Sequence, residues 1–260
     1  MTNLKTKNEI TWCPGCPNFL ILESAKKALE KFNQKELAMV TGIGCHAKMF
    51  DYLNISGIYG LHGRVIPTMT GISIGNPKLK VIGFAGDGDT YSEGMAHFIH
   101  AGRYNANITL IVHDNQAFSL TTGQPTPTSQ QGYISKATPL GEKSKPFNPI
   151  KLALSAGATF IARCNARDIN HTAEIIKKAI NHQGFSFIEI IQDCLIFNKE
   201  INNKDKLVRK IPDNTDKTKA ENLSQEWDYN SKSGKIPIGV IYQSPTKEPT
   251  LSEKLSINPR

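Results

Sequence analysis

Five stretches of the chain are almost continuously apolar: LAMVTG (37–42), KVIGFAG (80–86), ITLIVHD (108–114), TFIARC (159–164) and FSFIEIIQ (185–192). A strand with one wet face alternates apolar and polar residues, so unbroken runs of this length predict strands covered on both faces. Between them the period lengthens. Residues 19–33 set Phe19, Leu22, Ala25, Leu29 and Phe32 along one stripe with Asn18 placed as N-cap, and 93–105 and 168–182 predict helices of similar length. This alternation predicts an α/β fold, doubly wound, with a mainly parallel sheet and helices on both faces. Ligands in such sheets sit beyond the carboxyl ends of the strands, so the residues that follow each run are the first place to look for chemistry.

Two stretches lie outside this rhythm. Residues 121–147, TTGQPTPTSQQGYISKATPLGEKSKPF, hold four prolines and predict a loop long enough to act as a lid or partner contact. Residues 199–235 are rich in Lys, Asp, Asn and Ser, and a short apolar IPIGVIY and a polar tail follow. They predict a domain over 1–198 and a polar C-terminal arm over 199–260. With 39% hydrophobic and 21% charged residues, a disordered chain is excluded. The net charge of +8 suits nucleic acid, an acidic protein or anionic small molecules. No basic motif interleaved with aromatics is present, so nucleic acid is not an expected partner. There is no apolar run of about 18 residues and no apolar core in MTNLKTKNEI, which predicts a cytoplasmic protein with no membrane association. Five cysteines, an odd count, then argue for metal ligation over disulfides.

The run KVIGFAG ends in Gly86, Asp87, Gly88 and Asp89, where glycines allow a tight turn and close approach of a ligand to the backbone. A helix opening near Ser92 or Glu93 would aim free N–H groups at the same spot. Alone, GDGD is more often a turn than a metal site. Asn115, however, follows Asp87 by 28 residues, just past the next predicted strand. Neighbouring parallel strands end about 5 Å apart, so Asp87, Asn115 and a carbonyl near Ala117 could share a hard cation such as Mg²⁺, completed by phosphate. Here the chain resembles the thiamine diphosphate enzymes, marked by GDG and an Asn nearly thirty residues later. The resemblance implies that Asp87, Asn115 and the Ala117 carbonyl hold Mg²⁺ against the cofactor's diphosphate.

Cys13 and Cys16 form a C-x-x-C in WCPGC, Cys45 lies in GIGCHAK and Cys194 in DCLIFN. Three segments thus bring thiols to strand ends or a helix start. Four thiolates suit zinc or an iron–sulfur cluster, and the nearly 150 residues between Cys45 and Cys194 are unlike a compact zinc finger. Cys164 ends a predicted strand and reads as a small buried side chain. Taken together, WCPGC, GIGCHAK, LHGR, GFAGDGD, HFIHAGRYN, DNQAFSLTTGQ and DCLIFN resemble the beta subunit of the 2-oxoacid:ferredoxin oxidoreductases over roughly residues 10–200. Pro17 and Thr122 depart from the family pattern.

That resemblance implies thiamine diphosphate, Mg²⁺ and one [4Fe–4S] cluster on Cys13, Cys16, Cys45 and Cys194. It implies oxidative decarboxylation of a 2-oxoacid, pyruvate or 2-oxoglutarate, to acyl-CoA and CO₂, with electrons passed to ferredoxin and the acyl group to coenzyme A. It also implies a partner alpha subunit supplying the glutamate that activates the cofactor. His62 and Arg64 are candidates to face the substrate or diphosphate, and Lys48 to attract a substrate carboxylate or CoA phosphate. His97 and His100 read as helix packing. Two alternatives stand beside this reading: a non-oxidative thiamine diphosphate decarboxylase or carboligase, and a zinc-stabilised nucleic-acid-binding module.

Overall fold

The structure, a computed structural model, describes residues 4–230 and 234–255. Its strands are Leu37–Thr41 (β1), Gly57–Tyr59 (β2), Lys80–Gly86 (β3), Ile108–Asp114 (β4), Phe160–Asn165 (β5), Phe185–Ile191 (β6), Val208–Lys210 (β7) and Ile236–Gln243 (β8). They form one sheet in the order β2-β1-β3-β4-β6-β5-β8-β7. Every neighbouring pair is parallel except β5 with β8. Each of β1, β4, β5 and β6 is buried along its whole length, as its continuous apolar run predicts.

The helices are Asn18–Leu29 (α1), Met49–Tyr52 (α2), Val65–Gly75 (α3), Met95–Tyr104 (α4), Pro149–Ala156 (α5), Ile169–Asn181 (α6), Lys217–Gln225 (α7) and Leu251–Lys254 (α8). Two cores follow from the pleat. Ile82 and Ile111 pack with α1, α2 and α6, whereas their chain neighbours Val81 and Leu110 pack with α3, α4, α5 and α7. Both faces of the sheet are therefore covered, the doubly wound arrangement.

Three sequence expectations change. Helix α1 begins one residue early and ends at Leu29; its N-cap is Pro17, and Asn18 turns its side chain inward to His113, 2.8 Å away. Proline's fixed φ suits a helix start, which gives Pro17 its place. The expected arm at 199–260 contributes β7 and β8 to the sheet, with Val240 and Ile241 entering opposite cores. Tyr229 of that segment hydrogen-bonds the buried Arg163–Glu189 ion pair, so the segment is tied into the sheet's interior. Residues 231–233 and 256–260 of the expected arm lie outside the described residues. Finally, GDGD is not a tight turn. Gly88 takes a right-handed helical conformation and a π-helical turn, Asp89–Glu93, leads into α4.

The chain runs from β1 outward to β2, then returns past β1 to β3. The loops leaving β1 and β3 diverge to opposite faces, into α2 and α4. A crevice opens at that switch point.

Candidate active site

The crevice is lined by residues from four strand ends: 43–46 after β1, 86–89 after β3, His113 with Asn115 and 117–121 at and beyond the end of β4, and Gln192 after β6, with His62 at its side. Asp87, Asn115, Ala117 and Cys45 thus share one wall. The glycines supply room here. A side-chain carbon on Gly88 would lie 2.2 Å from the Phe118 ring, and one on Gly86 would lie 2.8 Å from His46.

Asp87 is fully enclosed. Its Oδ2 accepts hydrogen bonds from Thr126 Oγ1 at 2.5 Å and Thr128 Oγ1 at 3.0 Å. Both threonines belong to the proline-rich loop, which therefore does more than cover the site. Burial pushes the Asp87 carboxyl up to about 6, against the pull of those hydroxyls and of nearby backbone N–H groups. Thr128 Oγ1 also lies 2.9 Å from Asp114 Oδ1. Burial, then the charges of Asp87 and Glu189, raise Asp114 well above the carboxylate range, so Asp114 keeps its proton beside an ionisable Asp87.

Between Asn115 and Ala117, Gln116 holds a left-handed backbone at φ 58°. For a non-glycine residue that conformation persists only where the surroundings hold it. Here Asp114 Oδ1 accepts its N–H, Ser129 Oγ donates to its carbonyl, its amide donates to the Thr128 carbonyl, and the buried Lys204 Nζ donates to its Oε1 at 2.6 Å. Asn198 adds a bond to the Asn115 carbonyl. Asn115 Oδ1 accepts from the Ala117 N–H at 3.0 Å while its amide donates to Ser119 Oγ at 3.0 Å. Thr126, Thr128 and Lys204 carry no motif by which the sequence alone could single them out, and Gln116 lies in DNQAFSLTTGQ without a role being legible there.

Asp89 faces the other way. Its Oδ1 accepts from the Gly63 N–H at 2.6 Å and pairs with His62 Nδ1 at 3.0 Å, and His46 Nε2 lies 3.4 Å from Oδ2. Burial opposes its charge, but the two histidines outweigh burial and hold the carboxyl far below its ordinary value. The same bond to Asp89 raises His62. His62 also reaches Glu93 at 3.2 Å. Arg64 and Lys48 are placed differently from expectation. Neither lines the crevice: Arg64 is exposed with its guanidinium on the Gly63 carbonyl, and Lys48 Nζ bonds the carbonyl and hydroxyl of Thr11. His97 and His100 sit on α4 in a separate groove, with His100 stacked on Tyr104.

The four thiols come from three segments. Gly15, at φ 78°, closes the turn that sets the Cys16 N–H on the Cys13 carbonyl at 3.0 Å. Trp12, packed between Phe19 and Tyr52, donates its indole N–H to the Cys45 carbonyl at 2.7 Å and so docks the N-terminal turn on the loop after β1. Ser119 Oγ lies 3.5 Å from Cys45 Sγ, and the Phe197 N–H 3.4 Å from Cys194 Sγ. Burial pushes Cys16 up to about 11, and the neighbouring Cys45, Cys13 and Cys194 add to the rise. Cys45 is raised by burial too, with Cys194 and Cys13 contributing. Cys13, Cys16, Cys45 and Cys194 thus feel one another's charge, while Cys164 is buried in the core. Among the described residues, no three His, Cys, Asp or Glu side chains are gathered around a single-ion position. His113 Nε2 and Gln192 Oε1 are buried at the crevice without a hydrogen-bond partner.

Residues 42–190 match the family of thiamine pyrophosphate enzymes, C-terminal TPP binding domain. The chain is 40% identical over 253 residues to a 2-oxoacid:ferredoxin oxidoreductase subunit beta of Saccharolobus solfataricus, covering 90% of this chain and 81% of that one. It is 38% identical over 184 residues to the 2-oxoglutarate synthase subunit KorB of Archaeoglobus fulgidus, covering 70% and 69%. Among solved structures, a 2-oxoglutarate:ferredoxin oxidoreductase from Magnetococcus marinus with 2-oxoglutarate, coenzyme A and succinyl-CoA bound superposes with a TM-score of 0.92. It is 34% identical and covers 98% of this chain and 87% of its own. No helix among the described residues is long and apolar enough to cross a membrane. With a thiamine diphosphate-binding domain at the switch point and relatives along nearly its whole length, the chain belongs to the beta subunits of the 2-oxoacid:ferredoxin oxidoreductases.

Proposed function

We propose that this subunit, paired with an alpha subunit, oxidatively decarboxylates a 2-oxoacid. The products are acyl-CoA, CO₂ and one proton, and two electrons leave singly for ferredoxin. The observation that carries the reading is the meeting of two donor sets in one crevice: the oxygens of Asp87, Asn115 and Ala117, and the thiol of Cys45 with three more thiols within electrostatic reach.

The residues fit Mg²⁺ and a diphosphate. A carboxylate, an amide oxygen and a backbone carbonyl are hard donors, and an enclosed Asp87 pushed up to about 6 is a carboxylate whose charge a cation would compensate. The unpartnered His113 and Gln192 atoms offer further bonds to a polar ligand. The thiols fit a [4Fe–4S] cluster better than zinc. A four-iron cluster takes one thiolate at each corner, and ligands drawn from Cys13, Cys16, Cys45 and Cys194, nearly 150 residues apart at the widest gap, are unlike a compact zinc finger. When bound, thiamine diphosphate supplies the carbon nucleophile and electron sink for decarboxylation.

The chain's own residues then position and exclude. Asp87 and Asn115 would hold Mg²⁺ and with it the diphosphate end, Phe118 packs over Gly88, and His62, kept basic by Asp89, would donate a hydrogen bond to an anionic ligand. The carboxylates lining the crevice, Asp87 and Asp89, are both engaged, and Glu93 is held by His62. The carboxylate that activates the cofactor ring is therefore assigned to the alpha subunit. Activity of the anaerobically co-purified complex on a panel of 2-oxoacids, led by pyruvate and 2-oxoglutarate, with ferredoxin or a viologen dye tests this. Turnover by this subunit alone would overturn the assignment of that carboxylate, and a complex without iron would overturn the oxidative reading.

A further inference from the structure

Ser119 stands between the two donor sets. Its Oγ accepts from the Asn115 amide at 3.0 Å and donates to Cys45 Sγ at 3.5 Å. The two bonds run in one direction, and a single hydroxyl serves both because it can accept one bond while donating another. Asn115 has an amide group that must be turned the right way. Donation from its nitrogen to Ser119 leaves Oδ1 as the acceptor of the Ala117 N–H, with a second lone pair for a cation in the crevice that Asn115 and Asp87 both line. Cys45 in turn receives the hydroxyl's hydrogen bond at its sulfur.

We propose that Ser119 is a positioning residue with two outputs: it fixes the Asn115 amide for Mg²⁺, and through Cys45 it raises the reduction potential of the cluster. The proposal rests on the reading of Asn115 as a magnesium ligand and Cys45 as a cluster ligand. The reduced cluster carries one more negative charge than the oxidised one, so a donor to a ligand sulfur favours the reduced form. A preference of about tenfold between the two redox states corresponds to about 59 mV in a one-electron couple.

The test uses the anaerobically co-purified complex carrying Ser119→Ala, and the pair Ser119→Thr and Ser119→Val, equal in size and differing in the hydroxyl. Two quantities are read: the cluster's midpoint potential, from a dye-mediated titration followed by electron paramagnetic resonance, and the Mg²⁺ concentration that half-saturates thiamine diphosphate binding by calorimetry. Alanine and valine should lower the potential by up to about 59 mV and raise the half-saturating Mg²⁺ by about fivefold to tenfold, and threonine should restore both. A merely structural role would lower thermal stability and leave the potential unmoved. An intact cluster at unchanged potential in both Ser119→Ala and Ser119→Val overturns the proposal. Should alanine prevent assembly, the threonine–valine pair decides alone. Wild-type complex with no iron, or Mg²⁺ binding indifferent to Asp87→Ala, defeats the underlying site reading instead.

Discussion

The oxygen side and the sulfur side of the crevice are built in different ways. On the oxygen side, Asp87, Asn115 and Gln116 project from the ends of β3 and β4 in the middle of the sheet, and each is held by several short hydrogen bonds. On the sulfur side, thiols arrive from three segments, Cys13 is exposed, and the contacts to sulfur are long. Burial and the charges of neighbouring thiols push Cys16 and Cys45 upward, against the thiolate form. A fold can preorganise neutral and singly charged groups by itself, but four thiolates stay together only with the cations that neutralise them. The oxygen site is therefore a property of the sheet, whereas on the proposed reading the sulfur site would be completed by its cluster.

Removing a thiol should separate the two sides most sharply. In the co-purified complex, Cys194→Ala should abolish the cluster's visible absorption and bring 2-oxoacid-dependent dye reduction to background, while calorimetry should find the Mg²⁺ requirement for thiamine diphosphate within about twofold of wild type. Loss of cofactor binding as well would show that the sides are not independent. The reciprocal change is Asp87→Ala. Loss of a metal ligand exceeds the 10–100-fold effects of outer-shell partners, so Mg²⁺ affinity should fall by at least about a hundredfold with iron content unchanged.

A gentler cut on the oxygen side tests whether its bracing matters. Lys204 comes from the C-terminal segment, is buried against the Trp227 ring and donates to Gln116 Oε1. Lys204→Met keeps the aliphatic stem and removes the charged donor, a bond of about 1.5–3 kcal/mol. Mg²⁺ affinity should drop about fivefold to tenfold and the melting temperature by a few degrees, with the cluster's potential unchanged. A shifted potential would mean that Lys204 acts on the sulfur side.

What the chain disclosed beforehand follows the same division. Strands β1, β3, β4, β5 and β6 were legible because burial on both faces leaves a run of apolar residues. The edge strand β2, GIY, is exposed throughout and carries no such pattern. Strand β8 was legible as an apolar run but not as part of the sheet, because polar stretches surround it. Helix α3 went unread, since Pro67, Gly71 and Gly75 argue against a helix; Pro67 lies in its first turn, where a missing N–H costs little. Asp87, Asn115 and the cysteines were visible as residues of unusual type after strand ends. Thr126 and Thr128, thirty-nine and forty-one residues from Asp87, act through a loop whose path no local pattern specifies.

The smallest expected effect lies at the foot of the sulfur side. Helix α1, which follows the Cys13–Cys16 turn, packs on α6, and Lys27 bonds Asn170 at 2.7 Å. Asp168 caps α6 by accepting the His171 N–H at 3.1 Å and pairs with Lys210 at 2.7 Å. Burial opposes its charge, but Lys210 and the cap bond hold the carboxyl below its ordinary value. A carboxyl depressed in the folded state stabilises above its unfolded pKa, and that contribution disappears as pH falls through the folded value. Asp168→Ala should cost about 1 kcal/mol at pH 7, or about 2–4 °C in melting temperature. The gap between wild type and variant should narrow below about pH 4. Asp168→Asn keeps the cap oxygen without the charge, so it should retain most of the stability and lose that pH dependence. If α6 supports only the sulfur side, Asp168→Ala should hasten iron loss on mild heating and leave Mg²⁺ affinity where it was; an equal loss of both would mean that the two sides share one foundation.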